Sequence, residues 1–305
     1  MSRIFLDLAR RGKNTWWRYF LSSSLLSVGW PVFALIMYVL LIAWAVFDHN
    51  PHTAIDVNTG MITNAPLLNF VALMLGFVGL ALTLYVSARY IHRRAFLTLI
   101  TPRARVDWRR LLIGFAFFFL LAALAGIVEA LLFPGRYRFA LNGTEFLKFL
   151  PAVLVLLPIQ TTSEELLFRG YLMQSIGLWI HRPLVSALLS SLMFMLLHLV
   201  NPEVGSGFWR MALVYFGMGL LFALVTLKDN RLELAIGAHA ANNLFAALFA
   251  NYADSPLPTP ALFTTSKIDA TYALVSFLVI ATLFYAGLFA RKRSPQIMRQ
   301  KAEED

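Results

Sequence analysis

The chain contains no cysteine. That excludes a disulfide framework, a thiol nucleophile and any cysteine-ligated metal. Charge is nearly as scarce: Asp, Glu, Lys and Arg make up 14% of its 305 residues, while 59% are hydrophobic. A soluble globular domain carries about 25% charged residues, and a disordered chain cannot be this apolar. Both classes are excluded, and the apolar excess must face lipid. Sustained apolar–polar alternation is also missing, which argues against a membrane β-barrel. The charge that remains is unbalanced, with 26 Lys and Arg against 16 Asp and Glu, a net +10. In a membrane protein such an excess decorates cytoplasmic loops, and no nucleic-acid partner is expected.

Charge-free intervals divide the chain. They run between Arg18 and Asp48, Asp56 and Arg89, Arg110 and Glu129, and Lys148 and Glu164. Four more lie between Arg182 and Glu203, Arg210 and Lys228, Glu233 and Asp254, and Asp269 and Arg291. A helix needs about 20 apolar residues to cross a bilayer, so the expected fold class is an all-α, polytopic membrane protein of about eight transmembrane helices. The N-terminus does not read as a cleavable signal, because basic residues extend to Arg18 and the run after it is too long. Basic residues cluster before the first span, between the second and third (Arg89 to Arg110), and after the last (Arg291, Lys292, Arg293, Arg299, Lys301). Both termini are therefore expected in the cytoplasm, with 49–66 as an external loop and a solvated tail at 301–305. We divide the chain into N-terminal membrane helices (1–148), a core of four spans (149–250), and a last span with its basic tail (251–305).

Ionisable groups inside membrane helices are costly, so each is a functional candidate. Two adjacent glutamates, Glu164 and Glu165, interrupt the fourth apolar run, and Arg169 follows. Glu165 and Arg169 are four apart and share a helix face, with the carboxylate first, the favoured order. Glu164 is left without a same-face partner in its own helix, which suits a general base. The alternative is that the cluster marks the cytoplasmic end of the helix and stands in water. His198 closes the sequence Phe194-Met195-Leu196-Leu197-His198 in the fifth span, where a backbone carbonyl could also satisfy it. His239 and Asn243 share a face of the seventh; here the alternative is interhelical hydrogen bonding as structural glue. Together the four residues can activate a water: Glu164 or His198 takes its proton, while His239 and Asn243 steady the negative charge that develops on an oxygen. The chemistry indicated is hydrolysis inside the membrane, with an amide bond as its natural target.

The set Glu-Glu-x-x-x-Arg (164–169), Phe-x-x-x-His (194–198) and His-x-x-x-Asn (239–243) resembles the CPBP family. That family comprises the CAAX prenyl endopeptidases and the bacteriocin-processing and immunity proteins. Each motif alone is weak; three in order, in successive apolar helices, are specific. The resemblance covers about 150–250 and implies an intramembrane endopeptidase. It assigns Glu164 as the catalytic carboxylate, His198 as its partner, His239 and Asn243 as the oxyanion side, and Glu165 and Arg169 as supporting residues. It leaves metallo- and glutamate-type chemistry open: Glu164, His198 and His239 could hold one Zn²⁺ with an open position, but the tight His-Glu-x-x-His spacing is absent. The implied substrate is a membrane-associated or transmembrane protein or peptide, and the implied site of action is a bacterial inner or cell membrane.

Other readings fit less well. No Asp lies in any span, which excludes a paired-aspartate protease. The glycines of 204–207 read as turn residues rather than a serine-protease loop. A non-proteolytic scaffold or immunity protein need not keep all four site residues. A transporter should show inverted repeats, and none is visible.

Straight-helix arithmetic strains this site. A rise of about 1.5 Å per residue puts Glu164 near the cytoplasmic boundary, roughly 24 Å from the external end, and His198 toward the outside. His239 lies back near the cytoplasmic end of its span, so tilt, unequal helix lengths or a broken segment must bring the residues together, with Gly237 and 228–233 as candidates for the break. Glu129 is expected at the external interface near Pro134 and Arg136. Trp16, Trp17, Trp30, Trp44 and Trp179 are expected as interfacial anchors, and the Phe-rich run 115–119 as packing or lipid-facing surface.

Overall fold

The structure, a computed structural model, describes residues 3–50, 52–56, 60–253 and 255–290. The basic tail residues Arg291 to Lys301, the segment 301–305 and parts of the 49–66 loop lie outside the described residues. Each of the eight apolar intervals holds a helix: α1 (Trp16–Phe47), α2 (Pro66–Val86), α3 (Trp108–Leu132), α4 (Gly143–Glu165), α6 (Pro183–His198), α7 (Phe208–Asp229), α8 (Glu233–Leu248) and α9 (Ala270–Phe289). The chain is an all-α, multi-pass integral membrane protein. Among the described residues six helices are long and apolar enough to cross a bilayer. The remaining two, α6 and α8, have 16 residues each, short of the roughly 20 that lipid demands.

The fourth segment departs most from expectation. After α4 the helix does not end. It widens into a π-helical stretch, Leu166–Met173, and continues as α5 (Gln174–Trp179). The whole forms one 37-residue rod, Gly143–Trp179. Prolines at 151 and 158 lie inside it, and π-bulges of this kind recur at functional sites. A short three-stranded sheet was not foreseen. In it β1 (Arg138–Phe139) runs antiparallel to β3 (Phe263–Thr265), and β2 (Ala250–Tyr252) runs parallel to β3. It ties the loop after α3 to the segments on either side of residues 253–262.

The proposed break near Gly237 is not there. Helix α8 runs unbroken, and Gly237 serves close packing: a Cβ would clash with the Leu111 carbonyl of α3. The segment 228–233 is the α7–α8 turn, with Asn230 in the left-handed region at φ 57°, where Asn is one of the tolerated residues. One further placement differs, and another becomes more definite. Trp16 and Trp179 are exposed, as anchors should be, but Trp30 packs on Phe77 and faces an internal cavity. Phe118 is buried against Phe222 and Phe284, so this part of the Phe-rich run is core. Glu129 lies beside Arg136, accepting from Arg136 Nη1 and the Tyr137 hydroxyl, both at 2.8 Å.

Candidate active site

The long rod resolves the depth conflict. Glu164 sits fifteen residues before Trp179, and His198 fifteen residues after Pro183. The two therefore climb about the same distance, ~22 Å, from the turn that joins α5 to α6. Ser190 fixes the register of this hairpin by donating to the Phe168 carbonyl at 2.7 Å. The estimate that placed Glu164 at the cytoplasmic boundary failed because it ended the helix at the charge cluster.

Nor does the cluster stand in water. Glu165 and Arg169 are fully buried and Glu164 is 8% exposed. Arg169 Nη1 donates to Glu165 Oε1 at 2.7 Å, and Nη2 to the Gly219 carbonyl of α7 at 2.8 Å. Gly219 also lets α7 pack closely on α6, since a Cβ there would sit 3.0 Å from Ser191. The guanidinium also lies 4.8 Å from the Phe194 ring and 5.5 Å from that of Phe222. Charge, hydrogen bonds and aromatic faces together replace the water that Arg169 has lost.

His239 joins the two glutamates. Its Nδ1 meets Glu165 Oε1 at 2.8 Å, and its Nε2 lies 3.5 Å from Glu164 Oε2. The first contact orients the ring; the second is an ion-pair distance without hydrogen-bond geometry, and Glu164 Oε2 has no hydrogen-bond partner. Asn243, one turn further, donates to Gln160 Oε1 at 3.0 Å, and its own Oδ1 accepts from Asn242 at 3.0 Å. Both amide orientations are thereby set, leaving the second Asn243 N–H free of this pairing. Asn242 is part of the same network.

His198 is held differently. Its Nδ1 bonds the Phe194 carbonyl at 2.7 Å. A carbonyl only accepts, so Nδ1 carries the proton and a neutral ring presents Nε2 as an acceptor. The ring is flanked by Phe194, 4.1 Å between centroids, and Tyr215, 4.7 Å. The backbone-carbonyl contact anticipated as an alternative is thus present, and it orients the ring.

Glu164, His198, His239 and Asn243 all line one cavity of about 350 Å³. Sequence reasoning missed three residues of this wall: Gln160, Glu203 and Tyr215. Gln160 was discoverable, being a polar side chain one turn before Glu164 in an apolar run. Glu203 was taken only as the end of an interval, because a charge after a span reads as solvated.

The zinc possibility does not fit this arrangement. Among the described residues no group of three or more His, Asp or Glu comes together as a metal site. No step below is routed through a metal.

A bundle of membrane-crossing helices closed around a cavity of carboxylate, imidazole and amide groups defines an integral membrane protein with a buried polar site. Residues 146–245 match the family model described as type II CAAX prenyl endopeptidase Rce1-like. Over 279 residues the chain is 32% identical to an uncharacterized protein, YyaK, of Bacillus subtilis strain 168; the alignment covers 91% of this chain and 92% of the relative. The chain belongs to the Rce1-like family, a family of intramembrane CAAX-type proteases. No solved structure matches it.

Proposed function

We propose that the chain is an intramembrane endopeptidase that hydrolyses a peptide bond with a water activated by Glu164. The observation that carries this reading is that Glu164 Oε2 has no hydrogen-bond partner on a cavity wall shared with His239, His198 and Asn243. A water between Glu164 and His198 Nε2 is oriented by two acceptors. Its oxygen adds to the scissile carbonyl carbon as its proton passes to Glu164. Asn243 offers an N–H to the resulting oxyanion, and His239 adds to it whenever Nε2 carries a proton. Collapse of the intermediate breaks the C–N bond, and Glu164 returns the proton to the leaving amine. Glu165, anchored by Arg169, fixes the His239 ring. The substrate is a membrane-associated or transmembrane protein or peptide, and the basic-loop pattern supports cytoplasmic termini in a bacterial cell membrane.

The purified protein, incubated with membrane-anchored peptides in heavy-oxygen water, tests the reaction. Mass spectrometry of the products is expected to show one heavy oxygen in the new carboxyl group, with the rate unchanged by chelator. Absence of any cleavage would leave the non-proteolytic scaffold as the better reading, and loss of cleavage with chelator would replace the metal-free mechanism.

A further inference from the structure

Glu203 has no counterpart to the cation that accompanies the helix glutamates. It lies in the short 3-10 turn after α6, Pro202–Ser206, and is 4% exposed. Its Oε1 accepts from the Tyr215 hydroxyl and from Asn201 Nδ2, the latter at 3.4 Å. Its Oε2 is enclosed and has no hydrogen-bond partner. Tyr252, on β2, lies within reach of this carboxylate as a further neutral donor, but without the geometry of a hydrogen bond to Oε2. All these neighbours are neutral, and among the described residues no Lys, Arg or His forms an ion pair with Glu203. Glu165, by contrast, has both Arg169 and His239.

A buried carboxylate stabilised only by neutral donors is incompletely compensated. Glu203 also occupies a junction. It lines the cavity that holds Glu164 and His198, and a second cavity of about 270 Å³ among α3, α7, α8 and α9. The two share Tyr215, Asn242 and Tyr252 as a common wall. A chain lying in the first cavity therefore passes an uncompensated acceptor on a wall it shares with His198.

We propose that Glu203 is a specificity-determining residue that binds an ammonium or guanidinium group of a membrane-inserted peptide. The substrate class is a peptide with a Lys or Arg inside or at the edge of its apolar run. Such a residue is costly in lipid and gains a charge-assisted hydrogen bond at Glu203 Oε2. This inference deepens the proteolytic reading and rests on it for the word substrate; the binding itself does not require cleavage.

The test separates the two. Membrane-inserting peptides that differ only by lysine or norleucine, with that position walked along the apolar run, are titrated against the Glu164→Gln protein in liposomes, with energy transfer between labelled partners as the readout. At one or more positions the lysine peptide is expected to bind about tenfold more tightly than its norleucine match. In Glu164→Gln/Glu203→Gln the preference is expected to vanish. No lysine preference at any position, or a preference that survives Glu203→Gln, overturns the proposal. Should the double variant fail to fold, Tyr215→Phe in the Glu164→Gln background removes one neutral donor and is expected to strengthen the preference several-fold; an unchanged preference again overturns it. Cleavage of the same peptides by the unmodified protein is scored separately. Preference without cleavage leaves Glu203 as assigned and defeats the protease reading; cleavage without preference does the reverse.

Discussion

Helices α1 and α8 sit in one bundle but face different solvents. Four of the 32 residues of α1 are buried, whereas twelve of the sixteen of α8 are. Lipid solvates α1, so its length and its unbroken apolar sequence follow from the bilayer. Protein solvates α8, so it can be short and can carry His239, Asn242 and Asn243. Polar groups gather where helices face one another, because there they share partners and a cavity in place of hydrocarbon. The same contrast separates the exposed ion pair at the start of α4 from the buried one at its end.

That second contrast carries the largest expected effect on stability. Arg169→Ala strands Glu165 in a dry site and is expected to cost about 3–5 kcal/mol. Lys148→Ala, which breaks the exposed 2.8 Å pair with Glu145, is expected to cost less than about 1 kcal/mol. Thermal melts in detergent compare the two, and equal melting temperatures would break the contrast. A smaller effect is expected where α8 meets α3. Gly237→Ala places a methyl group against the Leu111 carbonyl and should destabilise by about 1–3 kcal/mol. Gly143→Ala, with open space around it, should stay within about 0.5 kcal/mol.

The smallest expected effect lies outside the membrane, where His92 shows what burial does to a loop residue. The ring is 1% exposed, with Nδ1 on the Lys13 carbonyl and Nε2 on the Tyr171 hydroxyl, each at 3.0 Å. Burial, with Arg94 and Arg18 nearby, lowers its pKa to about 4 against the pull of the Lys13 bond. In the unfolded chain the ring protonates near 6.5. Between those values the unfolded state holds more protons, so the contribution is complete above about pH 6.5 and is lost as pH falls toward 4. The melting temperature of the unmodified protein should therefore drop more than that of His92→Gln between about pH 7.5 and pH 4.5; parallel curves would remove His92 as the cause.

Sequence reasoning read the helices well and their ends poorly, for one physical reason. Apolar runs bounded by charge locate lipid-facing segments, and all eight runs are helical. The same rule misleads wherever charge is buried rather than solvated. It ended the fourth helix at Glu164, although Arg169 and His239 make those carboxylates tolerable inside the bundle and the chain continues to Trp179. It passed over Glu203, which looks like a loop residue until Tyr215 and Asn201 fold over it. Glu164, Glu165, Arg169, His198, His239 and Asn243 were legible because each is polar in an apolar helix. That the Glu165 carboxylate would bridge Arg169 and His239 was not, since the contact spans 74 residues.

The central claim is that the buried wall of Glu164, His239, His198 and Asn243 is hydrolytic and not merely structural. Its most direct test is cleavage of a membrane-anchored peptide in proteoliposomes by the unmodified protein and by Glu164→Gln at matched reconstitution. Glu164→Gln keeps the side-chain shape but cannot take a proton from water. The expected result is a rate at least about 10²-fold lower with an unchanged melting temperature. Equal turnover by the two proteins would contradict the account.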